Sequence, residues 1–332
     1  MGTPRRRFLA AGAAAAAWSL TGCSSAPLAA SKARVVVVGG GYGGATAARY
    51  LRLLDPTIDV VLVEPNDAFI SCPLSNMVLG GFRSMADITR AYDGLVASGV
   101  RVVRDLAIAV DTDRRQVRLA HGDPLAFDHA IVSPGVDFMW GELPAMNNDA
   151  AQSAVLHAWK AGPQTAALRR QLEEMRDGGV FVISIPEAPF RCPPGPYERA
   201  CQVAAYFKRA KPRSKVVILD ANEDVLSKGA LFKRAWTELY PGLIEYQPNS
   251  KAVDVDVATR TVKLEFGDMK GDVLNVLPPM KAGNIAAPFI TANGRWCEVD
   301  WLAFESKAAR GVHVLGDSLQ VAPLMPKSAT MA

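Results

Sequence analysis

Two sets of residues in this sequence have types and spacing that could do chemistry: a glycine turn and five scattered cysteines. Gly39, Gly41 and Gly44 follow the order G-x-G-x-x-G, with Gly43 as an additional glycine, directly after Val35-Val36-Val37-Val38. Gly39 permits a tight turn, Gly41 lets the backbone approach a pyrophosphate, and Gly44 lets the next helix pack on the strand. The helix N-terminus then offers unpaired N–H groups to phosphate oxygens. Glu64 stands twenty residues after Gly44, where a carboxylate accepts the hydrogen bonds of an adenosine ribose. The cysteines Cys23, Cys72, Cys192, Cys201 and Cys297 include no C-x-x-C pair, so they act singly or as one pair. Cys192 lies in Pro189-Phe190-Arg191-Cys192-Pro193-Pro194, where prolines stiffen the loop and Arg191 supplies positive charge that favours a thiolate. On their residues alone, Cys72, Cys201 and Cys297 read as small core side chains. His121, His129, His157 and His313 show no ligand spacing, which argues against a metal centre.

The elements that must position these residues are legible as apolar runs. Strands are expected at residues 34–38 and 60–63, at 127–135 ending in Pro134-Gly135, at 179–185 and 214–219, and at 311–315 ending in Gly316-Asp317. Helices are expected at 45–54, 166–176 and 199–208. Strands alternating with helices indicate an α/β fold with two Rossmann-like dinucleotide-binding domains. The chain of 332 residues has room for two domains, and 49% apolar with 21% charged residues excludes a disordered or coiled-coil chain. The first 30 residues hold three arginines and no acid, leaving 34 basic against 33 acidic side chains in the rest, so charge gives no support to a nucleic-acid partner.

The strand ending in Pro134-Gly135 resembles the crossover strand of two-dinucleotide-domain flavoproteins. Gly316-Asp317 is similar to their late Gly-Asp, whose carboxylate binds the FAD ribitol and whose following helix points its positive end at the isoalloxazine. These resemblances imply FAD as the cofactor. Such proteins usually carry a second glycine turn for NAD(P)H after the strand expected at 179–185. Here the residues are Pro186-Glu187-Ala188-Pro189 and onward to Pro193-Pro194-Gly195-Pro196. Prolines lack the N–H donors that a phosphate needs, so an NAD(P)H-dependent reductase is disfavoured.

Four segments together narrow the resemblance: Ser71-Cys72-Pro73-Leu74-Ser75-Asn76, the stretch from Pro189 to Glu198, Val276-Leu277-Pro278-Pro279-Met280, and Gly316-Asp317 with Met325-Pro326-Lys327-Ser328. They resemble the flavoprotein subunit of flavocytochrome c sulfide dehydrogenase, a relative of the sulfide:quinone oxidoreductases. The resemblance implies an FAD-binding domain from 33–147 and 285–332, and a degenerate NAD(P)-like domain from 148–284. It implies Cys72 as the site of a thioether to FAD, although Pro73 stands where the family has an aromatic residue. It makes Cys192 the redox cysteine: hydrosulfide attacks a disulfide, and the released thiolate delivers two electrons to the flavin. The resemblance places the second redox cysteine in a C-terminal segment beyond the helix begun by Pro326-Lys327-Ser328, so Cys192 is expected to be unpaired in this chain. A c-type cytochrome subunit is the implied electron acceptor, and its haem must come from that partner because no C-x-x-C-H occurs here. The alternatives left open are a sulfide:quinone oxidoreductase and a non-catalytic flavin-binding relay subunit.

Residues 1–32 have the layout of an export signal. Arg5-Arg6-Arg7-Phe8-Leu9 resembles a twin-arginine signal, and the apolar run at 8–20 is too short to span a membrane. Leu20-Thr21-Gly22-Cys23 resembles a lipobox, so Cys23 is either lipidated or discarded with the signal. Both cases imply a periplasmic protein with no transmembrane span.

Overall fold

In a computed structural model, which describes residues 32–320 and 327–332, the β-branched runs become parallel strands covered on both faces. The twin-arginine residues, Cys23, Met325 and Pro326 lie outside the described residues. The first sheet runs in the order Val312–Val314, His129–Val132, Arg34–Val38, Asp59–Val63 and Arg101–Val103, and every neighbouring pair is parallel. Val36 and Val37 are fully buried at its centre, as expected for a strand with no solvent face. The strand from the far end of the chain pairs Val312 with Ala130 and Val314 with Val132.

The second sheet has the order Ile244–Gln247, Lys215–Asp220, Val180–Ile185 and Val273–Val276, again all parallel. The helix Gly195–Ala210 buries Tyr197, Ala200, Val203, Ala204 and Phe207, a stripe recurring every three or four residues. It begins earlier than the expected 199–208, because Pro194 and Pro196 suit a first helical turn, where no N–H partner is needed. The helix expected at 166–176 runs Pro163–Glu174, and the one expected at 45–54 starts within the glycine turn, at Tyr42–Leu54.

Between the two sheets the chain crosses outward through Val136–Phe138 and returns through Met280–Ala282, and these segments pair antiparallel. One apolar core continues across both sheets. The Gly-Asp strand is followed by the tight turn Gly316–Ser318, and residues 321–326 beyond it lie outside the described residues. At Lys327 to Ala332 the chain forms one turn, closed by the Ala332 N–H on the Ser328 carbonyl at 3.0 Å.

Candidate functional site

The strands of the first sheet all end on one side, at Gly39, Glu64, Ser133-Pro134-Gly135 and Gly316. That is where open α/β sheets bind ligands. A cleft of about 380 Å³ opens there and is lined by Gly39, Gly41, Gly43, Glu64, Cys72, Pro134, Gly135, Cys192 and Asp317. Gly44 is behind it, against the strand. A Cβ on Gly44 would come within 1.9 Å of the Gly39 carbonyl oxygen, which explains the close helix packing. Gly39 has φ +97, and a Cβ there would meet the Ser133 carbonyl at 2.4 Å. Gly41 differs: a Cβ on it would meet no protein atom within 4 Å. The space in front of Gly41 is therefore open at the start of a helix with no side-chain cap.

Glu64 directly follows its strand, and its Oε2 accepts the Gly40 N–H at 2.8 Å. Its Oε1 accepts the N–H and the side-chain amide of Asn66 at 2.9 and 2.6 Å. Both oxygens are thereby fixed, and Oε2, with one donor, keeps a lone pair for a ribose hydroxyl. At the opposite side of the cleft the Oδ1 of Asp317 is buried without a hydrogen-bond partner. Burial holds this carboxyl above the usual carboxylate range, against the pull of the Arg191 and Lys327 cations. A buried acceptor with no protein donor calls for a ligand hydroxyl. The open cradle at Gly41, the ordered Glu64 and the orphaned Asp317 together fit FAD.

The two cysteines singled out in the sequence converge on this cleft. The Cys72 thiol donates to the Trp159 carbonyl at 2.8 Å. Arg191 places Nη2 3.2 Å from the Cys72 sulfur and donates to the same carbonyl. Cys192 adopts a left-handed backbone, φ +59; its N–H donates to the Lys327 carbonyl at 2.6 Å and its carbonyl accepts the Gly195 N–H at 2.8 Å. Arg191 does favour the Cys192 thiolate, as expected, but burial outweighs it. Burial pushes the Cys192 thiol up to about 11, with Cys72 and Glu198 acting in the same direction, and Arg191 only partly opposes them. The guanidinium hydrogen-bonds Cys72 instead. Cys72, Cys192, Cys201 and Cys297 are all free thiols. Burial raises Cys201 to about 11 and Cys297 to about 12, as suits core side chains.

Sequence reasoning missed several residues of the site. Tyr92 donates its hydroxyl to the Gly40 carbonyl at 3.0 Å. Lys327 donates to the Asp317 carbonyl at 2.9 Å and to the Leu319 carbonyl, and lies 3.6 Å over the Trp296 ring. Arg199, only 1% exposed, lines the cleft from behind, and burial pulls its guanidinium down to about 10. One signal was available for Arg199. It stands three residues after Pro196 and four before Val203, on the apolar stripe of its helix.

The second sheet has its own crevice, lined by Ile185, Pro186, Glu187, Ala221, Lys251 and Arg295 among others. There the Glu187 carboxylate lies 2.9 Å from the Lys251 ammonium, at the end of the strand where a glycine turn would hold phosphate. Among the described residues there is no group of three or more possible metal ligands, and no helix is long and apolar enough to cross a membrane.

Comparison with known proteins gives the chain its relatives. The family described as sulfide dehydrogenase (flavocytochrome c) flavoprotein chain, central, matches residues 165–278. The pyridine nucleotide-disulphide oxidoreductase family matches residues 33–175. The sulfide dehydrogenase (flavocytochrome c) flavoprotein chain of Chlorobaculum thiosulfatiphilum is 69% identical over 45 residues, 14% of this chain and 94% of that sequence. The mitochondrial sulfide:quinone oxidoreductase of Mus musculus is 21% identical over 324 residues, covering 90% of this chain and 67% of the relative. In fold, the sulfide:quinone oxidoreductase of Aquifex aeolicus superposes with a TM-score of 0.73 at 17% identity, over 89% of this chain and 71% of that one. A flavin-binding glycine turn, a proline-filled second crevice and a 69% identical relative point the same way: the chain belongs to the flavocytochrome c sulfide dehydrogenase flavoprotein family, among the flavin-dependent, sulfide-oxidising oxidoreductases.

Proposed function

We propose that this chain is an exported flavoprotein that oxidises sulfide and passes the electrons to a c-type cytochrome in the periplasm. One observation carries the reading: Cys72, Arg191, Cys192 and Asp317 line the same cleft as the glycine turn. The second crevice, by contrast, holds the Glu187–Lys251 ion pair and prolines that cannot donate to phosphate. Export rests on Arg5-Arg6-Arg7 and the apolar run after them.

The turn from Gly39 to Gly44 and Glu64 would hold the adenosine diphosphate half of FAD, and Asp317 a hydroxyl of its sugar chain. Cys72 would carry the covalent link. When bound, FAD supplies an acceptor that takes electrons in pairs and releases them singly. Cys192 carries the substrate sulfur. Its thiol, raised to about 11, is free among the described residues. In turnover it would be paired as a disulfide with a second cysteine supplied from outside them, which hydrosulfide would attack, staying on one sulfur as a persulfide while the other leaves as a thiolate whose electron pair passes to the flavin. Arg191 and the Trp159 carbonyl fix the position of Cys72 beside it.

The test is anaerobic addition of sulfide to the purified holoprotein, followed by oxidised cytochrome c. The flavin should bleach with sulfide, regain its colour with cytochrome c, and remain oxidised with NADH alone. A flavin that does not bleach with sulfide rules out sulfide oxidation by this chain. A second reading, sulfide:quinone oxidoreductase, is favoured by the 90% of the chain matched by the mouse enzyme. Re-oxidation by a short-chain quinone but not by cytochrome c would establish it.

A further inference from the structure

Arg199 is a buried cation whose hydrogen-bond partners among the described residues are all neutral. Its Nε donates to Asn76 Oδ1 at 2.9 Å, its Nη1 to the His157 carbonyl at 3.1 Å and to Asn275 Oδ1 at 2.8 Å, and its Nη2 to the Ala158 carbonyl at 2.8 Å. The closest acid in this network is one amide removed: Glu198 accepts from Asn76 Nδ2 at 3.0 Å. Asn275 is itself held by the Leu156 and His157 carbonyls, each at 2.7 Å. A buried charge without a counter-ion is costly. Ordinary packing would place an apolar residue on this stripe.

The charge shares a cleft with Cys72 and Cys192 and meets them through Trp159. The guanidinium lies 4.7 Å over the Trp159 ring, and the Trp159 carbonyl receives the Cys72 thiol. A Cβ added to Gly195 would meet both the Trp159 ring at 2.8 Å and the Cys192 sulfur at 2.9 Å, so ring and sulfur converge on one point. Ala158, between two of the carbonyls on Arg199 and Arg191, is held in a left-handed backbone, φ +43. The charged or titratable groups around the two thiols include Arg191, Arg199, Glu198, Asp317 and, on or beside the turn itself, His157 and Lys160.

We propose that Arg199 is a positioning residue which holds the His157 to Trp159 turn against Cys72 and Cys192 and makes the cleft select anionic sulfur. It favours hydrosulfide over neutral hydrogen sulfide, and thiolate over thiol. The inference rests on the sulfide-oxidising reading only for the identity of the incoming anion.

The experiment measures alkylation of Cys192 by iodoacetamide in the holoprotein at about pH 9, below the thiol midpoint, where rate follows the thiolate fraction. Peptide mass spectrometry assigns the modified residue. Arg199→Gln deletes the charge. Asn275→Asp cancels it by placing a carboxylate where an oxygen already meets Nη1 at 2.8 Å, and carries the test if Arg199→Gln does not fold. Arg199→Lys keeps the charge and loses the fork. Alkylation of Cys192 should slow about tenfold in Arg199→Gln and Asn275→Asp, the effect of losing an opposite charge nearby, and keep most of its rate in Arg199→Lys. An unchanged rate in the charge-deleting variants, or an equal fall in Arg199→Lys, would overturn the proposal. The alkylation needs no sulfide. If sulfide fails to bleach the flavin while this pattern holds, the substrate is wrong and the role of Arg199 stands; the opposite pair of results removes Arg199 alone.

Discussion

The N–H of Cys192 donates to the carbonyl of Lys327 at 2.6 Å, so the proline-bounded loop of the second sheet is tied by its main chain to the segment after Asp317. The Lys327 side chain continues the tie, with its ammonium on the Asp317 and Leu319 carbonyls and over Trp296.

Burial pulls the Lys327 ammonium down to about 7, with Asp317 opposing. An unfolded lysine titrates near about 10.4, so between these values the unfolded chain binds the extra proton. The penalty of burying the charge is complete below pH 7, and it is relieved as the pH rises through that window. Melting temperatures of wild type and Lys327→Met, compared from neutral to alkaline pH, should diverge in favour of wild type as pH increases.

His157 gives the acid counterpart. Burial, reinforced by Lys160, Arg199 and Arg191, holds the imidazole down to about 3. An unfolded histidine takes up its proton near about 6.5. Stability should therefore fall as pH drops from that value towards 3, by on the order of a few kcal/mol in total. His157→Gln should flatten this limb in denaturant titrations at a series of acid pH values.

The three glycines of the turn separate folding from binding. Gly41→Ala adds a methyl group to open space, so the melting temperature of the flavin-free protein should hardly move while the flavin retained on purification falls severalfold. Gly39→Ala and Gly44→Ala force a methyl onto backbone oxygens at 2.4 and 1.9 Å. Each should destabilise the flavin-free protein by about 2 kcal/mol or more, seen in urea unfolding.

Acid precipitation reads the covalent link. Cys72→Ser should release all its yellow colour to the supernatant, whereas Cys192→Ser should keep the colour in the pellet and lose bleaching by sulfide. Colour that stays with precipitated Cys72→Ser would place the link elsewhere.

Residues in one run were the easiest to read. Gly39 and Gly41 follow their strand in sequence, and Glu64 and Asp317 each end or follow a strand, so local pattern was enough to bring them to one cleft, with Gly44 packed behind it. The cysteine environment was harder. Arg191 is adjacent to Cys192 in sequence, yet its side chain reaches Cys72, which comes from the first half of the chain. Adjacency reports a charge but not its direction. Arg199, Trp159 and Asn275 were missed because they come from a helix, a loop and a strand far apart in sequence and meet only when these pack together around the second sheet. A polar residue on an apolar stripe was the one local trace they left.

The first sheet takes its edge strand Val312–Val314 from the far end of the chain, and this gives the molecule an order in time. During synthesis the glycine turn emerges early, but the His129–Val132 edge stays open, a ready template for mispairing, until Val312–Val314 leaves the ribosome. Gly316 and Asp317 arrive with that strand. Sheet closure and completion of the flavin cleft are therefore a single late event, and a chain that stalls before Val312 carries the phosphate turn on an unfinished sheet.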